Sequence, residues 1–205
     1  MKIICIGRNY TEHIEELQNE KPVEPIIFLK PDTAILLKKQ AFFIPDFAIN
    51  DVHYEAELLV RINRVGKHIQ EKFAYKYYDE IGLGIDFTAR KLQEELKEKG
   101  LPWEKAKAFD GAAVIGEKWI SKSSFNNLND ISFSLNKNDV TVQRGNSSHM
   151  LWKIDELIAY ISNFFTLKIG DVIFTGTPAG VGLVEANDTL TGFIGEDEIF
   201  SIDVR

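Results

Sequence analysis

The chain is short of cysteine, of cationic side chains and of long apolar runs. Its one cysteine, Cys5, rules out an internal disulfide and makes a reducing compartment the expectation. Lys and Arg number 24 against 31 Asp and Glu, a net charge of -7 that argues against a general nucleic-acid binder, whose affinity rests on a basic face. No stretch reaches the roughly 18 uninterrupted apolar residues of a spanning helix. The apolar run after Met1 is too short for a signal peptide. These absences predict a cytoplasmic protein with no membrane partner. There is also no internal repeat, no low-complexity tract and no Gly/Ser linker.

What is there is ordinary globular material. Hydrophobic residues make up 44% and charged residues 27%, which excludes a disordered chain. At 205 residues against a prior of about 150 per domain, one domain over 1–205 is expected. Short apolar runs bounded by Gly, Pro, Asn and Asp predict strands at Lys2–Ile6, Ile26–Leu29, Ala34–Leu37, Glu55–Ile62, Ile81–Ile85, Ala112–Ile115, Ile131–Leu135, Val140–Gln143, Asp171–Thr175 and Ile199–Val204. Tyr10–Gln18, Thr88–Lys99 and Lys153–Phe165 read as helices. The pattern is α+β and mostly β, with a few peripheral helices on one core.

Five places carry residues suited to chemistry. In His53-Tyr54-Glu55-Ala56-Glu57-Leu58, a strand turns Glu55 and Glu57 to one face. Two such carboxylates either form a solvated charged face or share a hard cation such as Mg²⁺. Asp86, ending the Gly-bearing run Ile81–Ile85, is either a helix cap or a third oxygen for the same ion. His13 and Glu16 share a face of a short helix, as surface charges or as a base held by a carboxylate. Lys105 and Lys107 follow the aromatic turn Leu101-Pro102-Trp103; one beside a metal would offset charge on a substrate oxygen. The turn Thr175-Gly176-Thr177-Pro178-Ala179-Gly180-Val181-Gly182 is either structural or lets backbone N–H groups approach an anion. It lacks the Gly-Lys-Ser/Thr ending of a P-loop. His53, His68 and His149 have no comparable partner pattern and are read as structural or solvent-facing.

Taken in order, Gly7-Arg8-Asn9-Tyr10, His13 with Glu16, Phe28-Leu29-Lys30-Pro31, the Glu55/Glu57 block, Asp86-Phe87-Thr88-Ala89-Arg90, Gly100-Leu101-Pro102-Trp103, Lys107 and Thr175–Gly182 resemble the fumarylacetoacetate hydrolase family across essentially the whole chain. The resemblance is to its short members, whose activities include acylpyruvate hydrolysis, oxaloacetate decarboxylation and isomerisation of 2-hydroxyhepta-2,4-diene-1,7-dioate. It implies that family's β-roll, a homodimer, and a Mg²⁺ or Mn²⁺ ion on Glu55, Glu57 and Asp86. It also implies His13 and Glu16 as a catalytic dyad on a lid, Lys107 as an active-site lysine, and Arg8, Gln93 and Thr177 as substrate contacts. Gln143–Ser148 resembles a block near the dimer or site edge. Val114 and Ser147 depart from residues common in the family, a proline and a threonine, and bear on substrate choice. The implied activity is attack on a 2-oxo acid through a metal-stabilised enolate, foremost hydrolytic C–C cleavage of acylpyruvates. Decarboxylation, isomerisation and a non-catalytic metal-binding role are the alternatives.

Overall fold

In a computed structural model, which describes residues 1–16 and 20–205, the chain forms three sheets. The largest runs, in order across it, Ile26–Lys30, Ile3–Gly7, Val172–Phe174, Ala56–Ile62, Tyr78–Asp86 and Ala113–Ile115, with Ile120–Ser121 pairing on Tyr78–Asp86. Val140–Asn146, Ser132–Lys137, Thr189–Ile194 and Asp197–Asp203 make the second. Gly182–Leu183, Val52–Tyr54 and Thr88–Ala89 make a small third. Helices Thr11–Glu16, Arg90–Glu98, Glu104–Lys107 and Ile154–Phe164 sit around the sheets with a one-turn helix at Glu71–Ala74. This is the expected mostly-β architecture.

The apolar runs of the large sheet are continuous because both of its faces are covered. Ile4, Ile6, Leu58, Val60 and Leu83 face the main core, which also holds Phe133, Leu135, Leu190 and Phe200 of the second sheet. Their neighbours Ile3, Cys5, Leu59 and Phe174 form a smaller cluster on the other face. Fully burying such side chains stabilises by about 1.5–3 kcal/mol each.

Register places the site. Ala56–Ile62 pairs antiparallel with Tyr78–Asp86 so that Glu57 lies opposite Gly84 and Ala56 opposite Ile85. One step on, the Asp86 amide donates to the Glu55 carbonyl at 2.9 Å. Residues 31 positions apart in sequence thereby meet at one end of two neighbouring strands. Gly84 is required there, because a Cβ on it would lie 2.1 Å from the Val114 carbonyl oxygen.

Several expectations are corrected. Ala34–Leu37 is not a strand: a 3₁₀ turn, Asp32–Ala34, is followed by a single bridge from Ile35 to Ala113. Pro31 starts that turn, and the apolar residues after it serve packing rather than a ladder. Glu55 does not begin a strand but occupies the break between Val52–Tyr54 and Ala56–Ile62, where the chain passes from the small sheet to the large one. The helix expected from Thr88 starts at Arg90, since Thr88 and Ala89 pair with His53 and Val52. Thr189–Ile194, whose burial alternates, is a strand that the sequence reading left out. The end of the helix expected over Tyr10–Gln18 lies outside the described residues.

Candidate metal centre

Glu55, Glu57 and Asp86 are buried, and each offers a carboxylate oxygen within 4.8 Å of the others, the only such acidic group among the described residues. The capping alternative for Asp86 is excluded, because Asp51 caps that helix: its carboxylate accepts from the amides of Lys91 at 2.7 Å and Leu92 at 3.4 Å. The solvated-face alternative for Glu55 and Glu57 fails on burial, at 5% and 2% exposure.

Three buried carboxylates would repel one another without counter-charge, and three buried cations answer them. Lys107 Nζ lies 2.9 Å from Glu55 Oε2, 2.9 Å from Asp86 Oδ2 and 2.6 Å from Thr88 Oγ1. Arg90 pairs with Glu55 Oε1. Lys30 Nζ sits 2.7 Å from Asp86 Oδ1 but at an angle that makes no hydrogen bond, its protons being directed at the carbonyls of Phe87, Lys107 and Ala112. Asp86 Oδ1 thus has a nearby charge and a free lone pair. Burial alone would raise the Glu55 pKa, but Lys107 and Arg90 outweigh it and hold it well below the usual carboxylate range. For Lys107, burial works downward and is outweighed by Asp86 and Glu55, so its pKa is raised. Among the described residues no cation pairs with Glu57. It accepts from the Gly176 amide at 2.6 Å. Burial, then the charges of Asp86 and Glu55, push its pKa well above the ordinary value. Glu57 without a paired cation, beside the open lone pair of Asp86 Oδ1, leaves hard oxygen donors that fit a divalent cation.

The remaining candidates converge on the same cleft, whose lining includes Arg8, His13, Gln93, Lys107 and Thr177. His13 is buried, and its Nδ1 lies 3.2 Å from Glu16 Oε2. Glu16 Oε1 accepts from the Gly180 amide at 3.0 Å, which ties the dyad's helix to the glycine-rich turn. Burial lowers the His13 pKa despite the opposing charge of Glu55. Thr177 Oγ1 donates to the Ala56 carbonyl at 2.9 Å and accepts from Gln143 Nε2 at 2.9 Å. Gly176 takes a positive φ of 97°, and a Cβ there would lie 2.7 Å from that of Asn9, so the turn needs glycine to close on the first strand's loop. The turn is therefore both structural and part of the cleft wall. Lys105 is exposed, as are His68 and His149.

Three supporting residues received no role from the sequence. Lys30, an uninterrupted strand's lysine, was visible as a charge ending the run Ile26–Lys30. Arg90 stands three residues before Gln93, whose Oε1 accepts from Arg90 Nη1 at 2.8 Å. Gln143 accepts from the Ala56 amide at 2.9 Å and has no sequence signal beyond its block.

Fold and cleft together define a β-roll that carries a buried three-carboxylate site with a histidine–glutamate pair beside it. A family model described as fumarylacetoacetate (FAA) hydrolase C-terminal matches residues 2–201, and the chain belongs to the fumarylacetoacetate hydrolase family. It is 40% identical over 191 residues to the oxaloacetate tautomerase YcgM of Escherichia coli K12, covering 93% of this chain and 86% of that protein. It is 36% identical to the mitochondrial oxaloacetate decarboxylase of Dictyostelium discoideum, covering 99% and 93% respectively. The crystal structure of fumarylpyruvate hydrolase from Pseudomonas aeruginosa in complex with Mn²⁺ and pyruvate superposes with a TM-score of 0.91 at 34% identity, covering all of this chain and 89% of that one. The relatives are enzymes, and the acidic triad here is able to bind a divalent ion.

Proposed function

We propose that this chain, working as one catalytic domain over residues 1–205, is a divalent-metal-dependent enzyme that moves a proton between carbon and oxygen of short 2-oxo acids, oxaloacetate foremost. One observation carries the reading: three buried carboxylates with oxygens within 4.8 Å of one another share a cleft with His13 and Lys107. The tautomerase name of the E. coli relative supports the choice of substrate.

Glu55, Glu57 and Asp86 would hold Mg²⁺ or Mn²⁺, which when bound supplies Lewis acidity to the 2-oxo group. The residues around it do the proton work. His13, with its pKa lowered, is neutral at physiological pH. Glu16 engages Nδ1, which leaves Nε2 to take a proton from the carbon next to the keto group and hand it to the resulting enolate oxygen, or to carry it the opposite way, so that the enzyme gains no net proton. Lys107, whose three protons are held by Glu55, Asp86 and Thr88, would stabilise by its charge the substrate oxygen where negative charge develops. Arg8, Gln93 and Thr177 would position the carboxylate.

A second reading is hydrolytic C–C cleavage of acylpyruvates, with His13 taking its proton from water instead. The Glu16–Gly180 tie favours it, since a base anchored over the cleft is what an attacking water needs, and one structural relative is a fumarylpyruvate hydrolase.

The test is a panel of enol-oxaloacetate, acetylpyruvate, fumarylpyruvate and a hydroxydienedioate, followed in the ultraviolet after chelation and again after adding Mg²⁺ or Mn²⁺. The expected result is loss of activity on chelation and its return with either ion. Asp86→Asn should lower Mn²⁺ affinity by more than the roughly 10–100-fold that losing an outer partner costs, with the fold kept by circular dichroism. A rate indifferent to exhaustive metal removal would overturn the proposal.

A further inference from the structure

Asn9 is fully buried and stands between the first strand, Ile3–Gly7, and the helix Thr11–Glu16 that carries the dyad. The chain reaches it through Arg8 at a positive φ of 58°, a conformation uncommon outside glycine. Its Nδ2 donates to the Thr175 carbonyl at 2.8 Å and to the Trp152 carbonyl at 3.1 Å, and its Oδ1 accepts from the Trp152 amide at 2.9 Å. Turned over, the side-chain amide would set its oxygen against two carbonyls, so its partners fix its orientation.

The Thr175 carbonyl and the Gly176 amide are the two ends of one peptide group. In a trans peptide they point opposite ways. Asn9 therefore holds one end and Glu57 the other, the Gly176 amide donating to Glu57 Oε2 at 2.6 Å. This is the one hydrogen bond that the Glu57 side chain makes among the described residues. The amide and hydroxyl of Thr175 both donate to the Leu58 carbonyl, which leaves the Thr175 carbonyl to Asn9. Gly176, at a φ of 97°, has no Cβ to restrict rotation of the peptide before it, so hydrogen bonds at its two ends set the plane. Donation to the carbonyl also polarises the peptide and strengthens what its N–H offers a carboxylate.

We propose that Asn9 is a positioning residue of the metal centre: by orienting the Thr175–Gly176 peptide it fixes the Glu57 carboxylate where it can bind a divalent ion. The inference rests on the three-carboxylate reading above and adds to it a residue that does not line the cleft. Glu55 is held by Arg90 and Lys107, and Asp86 by Lys107 with Lys30 beside it. Glu57 has only this peptide. Loss of the Asn9 amide should therefore be felt at Glu57 and not at the other two ligands.

The test is calorimetric titration of the chelated full-length protein with Mn²⁺, with the melting temperature in chelator measured alongside. Asn9→Ala removes all three side-chain bonds; Asn9→Asp keeps the volume and the acceptor for the Trp152 amide but, ionised, offers Thr175 no donor. Each should bind Mn²⁺ about tenfold more weakly than wild type, the low end of what an outer partner of a metal ligand contributes. In a Glu57→Ala background the same substitutions should change Mn²⁺ affinity by less than about twofold, because the ligand they act on is gone. Ser162→Ala, which removes buried bonds to the Ile69 amide and the Ala159 carbonyl, should lower the melting temperature and leave Mn²⁺ affinity unchanged. Asn9→Asp carries the same cycle where Asn9→Ala does not fold. Full Mn²⁺ affinity in a folded Asn9 variant, or an equal loss with and without Glu57, would overturn the inference and leave the metal centre standing. A wild type that binds no Mn²⁺ would overturn both.

Discussion

Lys107→Met removes the ammonium that Glu55 and Asp86 share. With metal chelated away, both carboxylates lose a partner at 2.9 Å, and Thr88 loses one at 2.6 Å. Lys107 is 3% exposed, so solvent cannot replace it. Deleting one partner of a buried ion pair costs about 3–5 kcal/mol, because the other charge is left uncompensated. For a chain of this length each kcal/mol lowers Tm by roughly 2–4 °C, which places the expected drop at roughly 6–20 °C. Mn²⁺ should then restore more stability to the variant than it adds to wild type. The ion meets one fewer positive charge there, and no ammonium competes for the oxygens of Glu55 and Asp86. Scanning calorimetry of both proteins, in chelator and in Mn²⁺, measures the two effects. A variant within about 1 kcal/mol of wild type in chelator, or one whose Mn²⁺ shift is no larger than that of wild type, would refute the account of Lys107 as the site's internal counter-cation.

Three further outcomes are expected. His13→Ala should slow acetylpyruvate cleavage by about 10²–10⁴-fold and spare oxaloacetate decarboxylation, which needs no attacking water; equal losses would count against the base. Because burial lowers the His13 pKa, the neutral base survives to lower pH, so the acid limb of the wild-type kcat/KM profile should have its midpoint below the ordinary histidine value of about 6.5; a midpoint above it contradicts the assignment. Gly84→Ala would drive a Cβ to 2.1 Å from the Val114 carbonyl and 2.9 Å from Leu59. Urea denaturation should show a loss of about 1–3 kcal/mol or more, and the displaced pairing opposite Glu57 should weaken Mn²⁺ binding.

Much of this was open to reading along the chain. The strands of the large sheet announce themselves as continuous apolar runs because both faces of that sheet are buried, and hydrophobicity is a local property. Residue types also locate the chemistry: the Glu55/Glu57 pair, Asp86 at a strand's end, His13 three residues before Glu16, and Lys107 after an aromatic turn all line or border one cleft. Local patterning failed where tertiary contacts override it. Ile35 is apolar for packing and makes only one bridge. Thr88 and Ala89 are drawn from a helix into a strand by His53 and Val52.

The sequence by itself determined a mostly-β fold and which side chains are able to hold a cation or move a proton, since both follow from residue chemistry and short-range period. Only the tertiary structure decided between capping and ligation at Asp86, because the competing cap, Asp51, comes from another part of the chain. It alone revealed Lys30, Arg90 and Lys107 as the charges that balance the carboxylates. Electrostatic balance is settled by distance and burial, and neither can be read from positions along a chain.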